Sequence, residues 1–234
     1  TPLYSSAASD VYKRQALGKS LGVEIEPQLL ELALTHRSYS YENGRGPNNE
    51  RLEFLGDAIL GFLVTAHIHD HFVDLDEGEL TKLKNAVVSA PALAKAAHSL
   101  ELGSHLLLGK GEIQTGGREK QNLLADCFEA VLGAAYVSNG MDAASQIVKK
   151  FILPMLSNPE EVLDSADPKT TLLELLQAAN RSQPVYEITH EGPDHDRTFF
   201  ATLSVDGQIL ATADGRSRKL AETNAAIKAL ASFK

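Results

Sequence analysis

The sequence predicts two folded parts of different class: an all-α domain, then a small α+β domain with the order α-β-β-β-α. Three observations predict this. From Ala16 to about Met155 apolar residues recur at helical spacing, without strand-like alternation. The stretch "SNPEEVLDSADPKT" is polar and acidic and carries Pro159 and Pro168, the composition of a connection. Beyond it the hydrophobic period shortens to the two-residue alternation of strands.

Residues 1–15, "TPLYSSAASDVYKRQ", have neither period. "DVYKRQ" is what GAT GTG TAT AAG AGA CAG encodes, a string that resembles a transposon-end adapter used in sequencing libraries. Residues 1–15 are therefore set aside as a non-native or disordered tail. "EPQLLELALTH" is amphipathic, and "LEFLGDAILGFLVTAHIHDHF" predicts a long helix. "DEGELTKLKNAVVSAPALAKAAHSL" predicts two more, broken near Pro91. "NLLADCFEAVLGAAYVSNG" is apolar nearly all round, which predicts a central buried helix ended by Asn139 and Gly140; "MDAASQIVKKFILPML" follows. The first domain spans residues 16–156, the linker 157–167 and the second domain 168–234. In the latter, "KTTLLELLQAAN" predicts a short helix. "PVYEITHEGP", "RTFFATLSVDG" and "QILATADG" predict strands with Asp206-Gly207 as a hairpin turn, and "SRKLAETNAAIKALASF" predicts a closing helix.

A hydrophobic content of 43% with 23% charged residues is that of an ordinary soluble globular protein. No apolar run suggests a membrane span and the N-terminus has no apolar signal region. The single cysteine, Cys127, rules out an internal disulfide and fits a reducing compartment, so a cytoplasmic location is expected. A net charge of −9 argues, taken alone, against nucleic acid as a partner. The excess is uneven: residues 1–166 hold 14 Lys and Arg against 22 Asp and Glu, residues 167–234 hold 8 against 9. Clustered carboxylates that bind cations would account for part of it.

Such carboxylates are present. In "NNERLEFLGDAIL", Glu50, Glu53 and Asp57 fall within an arc of roughly 60° on a helix of about 100° per residue. Leu52, Leu55, Ile59 and Phe62 fall opposite, on the expected core side, whereas Phe54 sits awkwardly near the acids. Asp126 and Glu129 form a second pair, i and i+3, in the buried helix, with no Lys or Arg between Asn122 and Asn139. Glu50 alone, or Glu129 alone, reads as a surface residue. Two pairs in strongly apolar helices instead call for a partner, and a hard divalent cation with oxygen ligands is the simplest.

The motif "NERLEFLGDAIL" resembles the signature of the ribonuclease III family, and "DEGELTKLKNAVVS" and "NLLADCFEAVLGAAY" resemble its two later motifs, in order. The last part is similar to the double-stranded-RNA-binding domain that follows in the bacterial enzymes. The resemblance covers about residues 16–234. It implies an all-α endonuclease domain with Glu53, Asp57, Asp126 and Glu129 as metal ligands, Asp57 and Glu129 being catalytic. Glu50 and Glu77 would form a supporting acidic shell, although an acid at a helix start, like Glu77, is also favoured by the dipole. The metal would be Mg²⁺, with Mn²⁺ as a substitute. Phe54 matches an aromatic that plugs a cavity in a partner subunit; by itself it reads equally as core. The implied activity is hydrolysis of double-stranded RNA by metal-activated water, in a homodimer with one site per strand. The products would be 5′ phosphate and 3′ hydroxyl ends with a short 3′ overhang. Ribosomal-RNA precursors and structured messengers are the implied substrates.

Duplex RNA is read by shape, through 2′-hydroxyls and phosphates. The implied contacts are Glu174 and Gln177 on the helix, His195 in the loop "GPDHDRTF", and Arg216, Arg218 and Lys219 at the start of the closing helix. Leu173 stands where the family often has Gln, which puts one minor-groove contact in doubt. Other features are discounted. "HIHDH", with His67, His69, Asp70 and His71, reads as a surface helix end. "GKGEIQTGGREK" reads as a flexible loop, with Lys110 or Arg118 touching RNA as the weaker option. The main rival is a non-cleaving RNA-binding protein, against which retention of all four acids argues; a ribosome-assembly factor, for which cleavage would be incidental, is a third reading.

Overall fold

Helical period becomes helix along the first part of the chain in the computed structural model, which describes residues 17–193 and 197–233. The chain divides between Asn158 and Pro159 into two compact units. The first contains α1 (Pro27–Ala33), α2 (Arg37–Glu42), α3 (Glu50–His71), α4 (Glu77–Val87), α5 (Ala90–Ser99), α6 (Leu102–His105), α7 (Lys110–Gln114) and α8 (Gln121–Phe151). Among its described residues the one β contact is an isolated bridge between Thr35 and Leu107.

Local chemistry sets the ends. Asp76 caps α4 in a reciprocal box: its carboxylate accepts from the Glu79 amide at 2.9 Å, and the Glu79 carboxylate accepts from the Asp76 amide at 2.9 Å. Pro91 lies in the first turn of α5, where a missing N–H costs nothing, so the expected break is a helix start. Within α8, Asn139 (φ −141°) and Gly140 (φ 73°) leave helical geometry at the expected stop, and a second helical piece follows. The break is tied to the start of the domain. The Asn139 amide donates to the Glu24 carbonyl (2.6 Å), the Glu26 amide to Ser138 Oγ (3.0 Å), and Lys150 Nζ to the Ser20 carbonyl (2.8 Å).

Helices α3 and α8 form the centre. Leu60, Val64, Leu83, Leu124, Phe128, Val131 and Leu132 are fully buried there. Side chains of this size contribute about 1.5–3 kcal/mol each on burial. By length and apolarity α3 passes as a membrane span, contrary to the sequence expectation. Its acids and its packing along α8 make it a core helix of this domain. The segment "GKGEIQTGGREK" is also more ordered than expected. It forms α7 and a 3₁₀ turn, Gly117–Glu119, held by Lys120 Nζ on Glu112 (2.5 Å) and on Thr115 (2.8 Å).

The second unit contains α9 (Pro159–Ala166), α10 (Pro168–Ala178), β1 (Val185–Glu191), β2 (Thr198–Val205), β3 (Gln208–Gly215) and α11 (Arg218–Ala231). Part of the stretch read as linker is thus helical, with Glu160 and Glu161 in a first turn that favours acids. The sheet is antiparallel in the order β1-β2-β3. Asp206 (φ 52°) and Gly207 (φ 76°) both adopt the left-handed region that a two-residue hairpin turn requires. Leu172 and Leu176 from α10, Ala201 and Leu203 from β2, and Ala221, Ala225 and Ala229 from α11 close the core. Ser217 caps α11 by accepting from the Leu220 amide at 3.2 Å.

Candidate active site

The site is made where α3 crosses α8. A β-carbon on Gly56 would stand 1.8 Å from the Glu129 carbonyl oxygen, and one on Gly133 would stand 2.2 Å from that of Leu52. Only two glycines let the helix backbones touch here. Glycine inside a helix costs about 0.5–1 kcal/mol relative to alanine, so its use at both positions marks a close approach. That approach also chooses the buried face of α3: Leu52, Gly56, Ile59, Leu60, Val64 and Ile68. The acids therefore border the buried stripe rather than lying opposite it. Phe62, expected in the core, is 61% exposed, and Phe54 is 81% exposed.

The crossing brings ligand oxygens of Glu53, Asp126 and Glu129 within 4.8 Å of one another, each residue half-buried. Among the described residues no basic side chain forms an ion pair with these three. Burial raises the Glu53 carboxyl, and the charges of Asp126 and Glu50 raise it further. Burial likewise raises Asp126, partly offset by His36 and Arg37. Glu129 is pushed up to about 8, first by burial and then by Asp57, Asp126 and Glu53. Three oxygen-donor groups that resist joint ionisation fit a hard divalent cation, whose charge would offset the repulsion.

The remaining acids stand apart from this set. Asp57 is exposed and lines a groove of 410 Å³ with Phe62, Thr65, Lys84 and Asn85, although its charge still reaches Glu53 and Glu129. Glu50 is exposed, accepts from Asn48 Nδ2 at 3.0 Å and lies 3.6 Å from Arg37. Glu77 is exposed in the first turn of α4, where it accepts from the Thr81 hydroxyl at 3.3 Å. Sequence reasoning passed over His36 and Arg37; their nearness to Asp126 follows from a fold contact that no local pattern encodes.

In the second unit Glu174 and Gln177 are exposed on the face of α10 opposite buried Leu172 and Leu176, and Leu173 is half-buried. Arg216, Arg218 and Lys219 are all exposed at the start of α11. His195 lies outside the described residues. The discounted features have local roles. His67 and His71 stack at 3.9 Å, and among the described residues no three-ligand set forms there. Arg118 donates to the carbonyls of Gly103 (2.6 Å) and Leu106 (3.0 Å), which makes it a structural clasp. Cys127 is fully buried, its thiol pushed up to about 12.

A helical domain with a carboxylate cluster, joined to an α-β-β-β-α domain with a basic helix start, is the layout of an endoribonuclease of double-stranded RNA. Residues 26–156 match the Ribonuclease-III-like family and residues 168–232 the double-stranded RNA binding motif. Ribonuclease 3 of Leifsonia xyli subsp. xyli is 52% identical over 216 residues, covering 92% of this chain and 91% of that protein. Ribonuclease 3 of Streptomyces coelicolor is 45% identical over 233 residues, covering 100% and 84%. Two solved ribonuclease III nuclease domains from Campylobacter jejuni are also similar. One has a TM-score of 0.57 at 38% identity and covers 62% of this chain and 96% of its own. The other, described for flexibility in a region involved in dimer formation, has a TM-score of 0.55 at 40% identity and covers 59% and 94%. The chain belongs to the ribonuclease III family.

Proposed function

We propose that Glu53, Asp57, Asp126 and Glu129 hold a divalent cation, Mg²⁺ or in its place Mn²⁺, in a cleft that hydrolyses the phosphodiester of duplex RNA. The observation that carries this is the convergence of Glu53, Asp126 and Glu129 within 4.8 Å, half-buried and without a basic partner among the described residues. When bound, such a cation supplies an acidified water for attack and stabilises charge on the leaving oxygen. The protein side of the chemistry is set by its own residues. Burial and the charges of Asp57, Asp126 and Glu53 push the Glu129 carboxyl up to about 8, so a cation held there would take the place of a proton. Asp57 stands one helical turn beyond Glu53 and would join the ligand set, serving with Glu129 in catalysis. Glu50 and Glu77 support the set from outside, each already engaged by a neighbouring side chain. The buried thiol of Cys127 is too weakly acidic to act as a nucleophile. Ends with 5′ phosphate and 3′ hydroxyl groups and a short 3′ overhang are the proposed products.

Glu174, Gln177, His195, Arg216, Arg218 and Lys219 are proposed to track the duplex across two minor grooves and the phosphates between them. Ribosomal-RNA precursors and structured messengers, met in the cytoplasm, are the proposed substrates. A labelled RNA duplex incubated with the protein should be cut in Mg²⁺ and stay whole in EDTA; cutting that persists in EDTA would refute the metal assignment.

A homodimer would supply one cutting site for each strand. Phe54, almost wholly solvent-exposed on a core helix, is the proposed anchor in the partner subunit. Burying a phenylalanine contributes about 1.5–3 kcal/mol, and two copies cross a symmetric interface, so Phe54→Ala should weaken dimerisation by at least roughly 100-fold. Light scattering at low protein concentration checks this; an unchanged dimer mass would refute the anchor.

A further inference from the structure

A carboxylate cluster repels the phosphate it would act on, and Arg37 stands 3.6 Å from Glu50, in the same helix turn as Glu53. Among the described residues, Arg37 is the one Arg or Lys whose charge bears on both Glu53 and Asp126. The residues on either side of it are held by the fold. The His36 amide donates to the Leu107 carbonyl at 3.1 Å, and the Leu107 amide donates to the Leu34 carbonyl at 2.8 Å. The Ser38 amide donates to His36 Nδ1 at 3.2 Å, and Ser38 Oγ accepts from the Gly109 amide at 2.9 Å. The side chain is, by contrast, loosely engaged. It is 72% exposed and reaches Glu50 only at 3.6 Å, while the other Glu50 oxygen accepts from Asn48. Exposed pairs of this kind contribute about 0–1 kcal/mol, so exchange for another anion costs little. Arg37 is also the first residue of α2, an end where a cation is disfavoured by the helix dipole. A fixed backbone on either side, an exposed guanidinium with one long ion pair, and carboxylates that would repel an unaccompanied phosphate make a site for a phosphate fork.

We propose that Arg37 binds a phosphate of the RNA strand presented to the Glu53–Asp126–Glu129 cluster, releasing Glu50 as it does so. This rests on the nuclease function proposed above. Arg37 then positions substrate, and does more than balance the acids around it.

The test measures duplex binding by fluorescence anisotropy in Mg²⁺ across a range of KCl. The full chain carrying Glu129→Gln, which keeps the RNA whole, is compared with the same chain carrying Arg37→Gln or Arg37→Lys in addition. Loss of one phosphate contact lowers the slope of log affinity against log salt by about one per engaged protomer. That drop is expected for Arg37→Gln, with most of the slope restored in Arg37→Lys. In the otherwise native chain, Arg37→Gln should lower kcat/KM for cleavage by about tenfold. An unchanged slope beside native cleavage by the unmutated protein would overturn the role of Arg37 alone. An unmutated protein that neither binds nor cuts duplex RNA would overturn the nuclease function, and this inference with it.

Discussion

Glu129→Gln lowers cleavage of duplex RNA in Mg²⁺ by roughly 10³-fold or more, while RNA binding persists. Gln keeps the shape of the side chain and removes the charge at the most strongly perturbed carboxyl of the cluster. Binding persists because most of the contacts proposed for the duplex lie in the second unit, on α10 and at the start of α11, and the substitution leaves Arg37 in place. A gel assay and an anisotropy titration on the same preparation read both. Equal cutting by native and variant protein would remove the metal assignment. The substitution also has a signature in the cation-free protein. A carboxyl raised from 4.5 to about 8 binds its proton more tightly in the fold than in the unfolded chain. Its stabilising effect is complete below about 4.5 and is lost as pH climbs through about 8. Solvent screening of this half-buried group reduces the loss to roughly 1–2 kcal/mol, about 2–8 °C in Tm. In EDTA the native Tm should fall over that window, and Glu129→Gln should flatten the curve; parallel curves would show that the proton does not reside at Glu129.

Gly56→Ala has the largest expected effect on stability. The added β-carbon meets the Glu129 carbonyl oxygen at 1.8 Å, and the atom it meets is backbone, with no flexible side chain to move aside. Relief requires α3 and α8 to separate, which exposes buried apolar surface and parts Glu53 from Glu129. Overpacking of this kind costs roughly 3 kcal/mol or more, about 10 °C in Tm, and cleavage should fall with it. Gly111→Ala is the matched control, since nothing lies within 4 Å of its added carbon. Similar melting temperatures for the two variants would show that the crossing tolerates a side chain.

Much of this arrangement was legible in the sequence because it rests on local pattern. The apolar run of α8, the Asp76 box, the Asp206-Gly207 turn and the alternation of the strands are each encoded within a few residues. The acids of the cluster were legible for a related reason: charge in an apolar helix is anomalous wherever the helix packs. The face that α3 buries was not legible. Its apolar residues surround the helix, so periodicity leaves several faces open, and tertiary contact at Gly56 selects one. Hence Phe62 emerged exposed, and the acids stand at the rim of the core. Arg37 was missed because its relation to Asp126 spans most of the domain in sequence and depends on the clasp between residues 34–38 and 107–109. The helix at Pro159–Ala166 was missed because acidic, proline-marked composition suits a helix start as well as a connection.

The ties from Ser20, Glu24 and Glu26 to Ser138, Asn139 and Lys150 join positions more than a hundred residues apart. During synthesis, this early segment of the domain therefore waits for a segment more than a hundred residues later before finding its seat. Until then the apolar surfaces of α1 and α3 lack the helix that covers them, and the growing chain is exposed to aggregation and to holding chaperones. These bonds can close only once Lys150 has emerged, and a truncation at either margin of the first domain would leave the partners at the other unsatisfied.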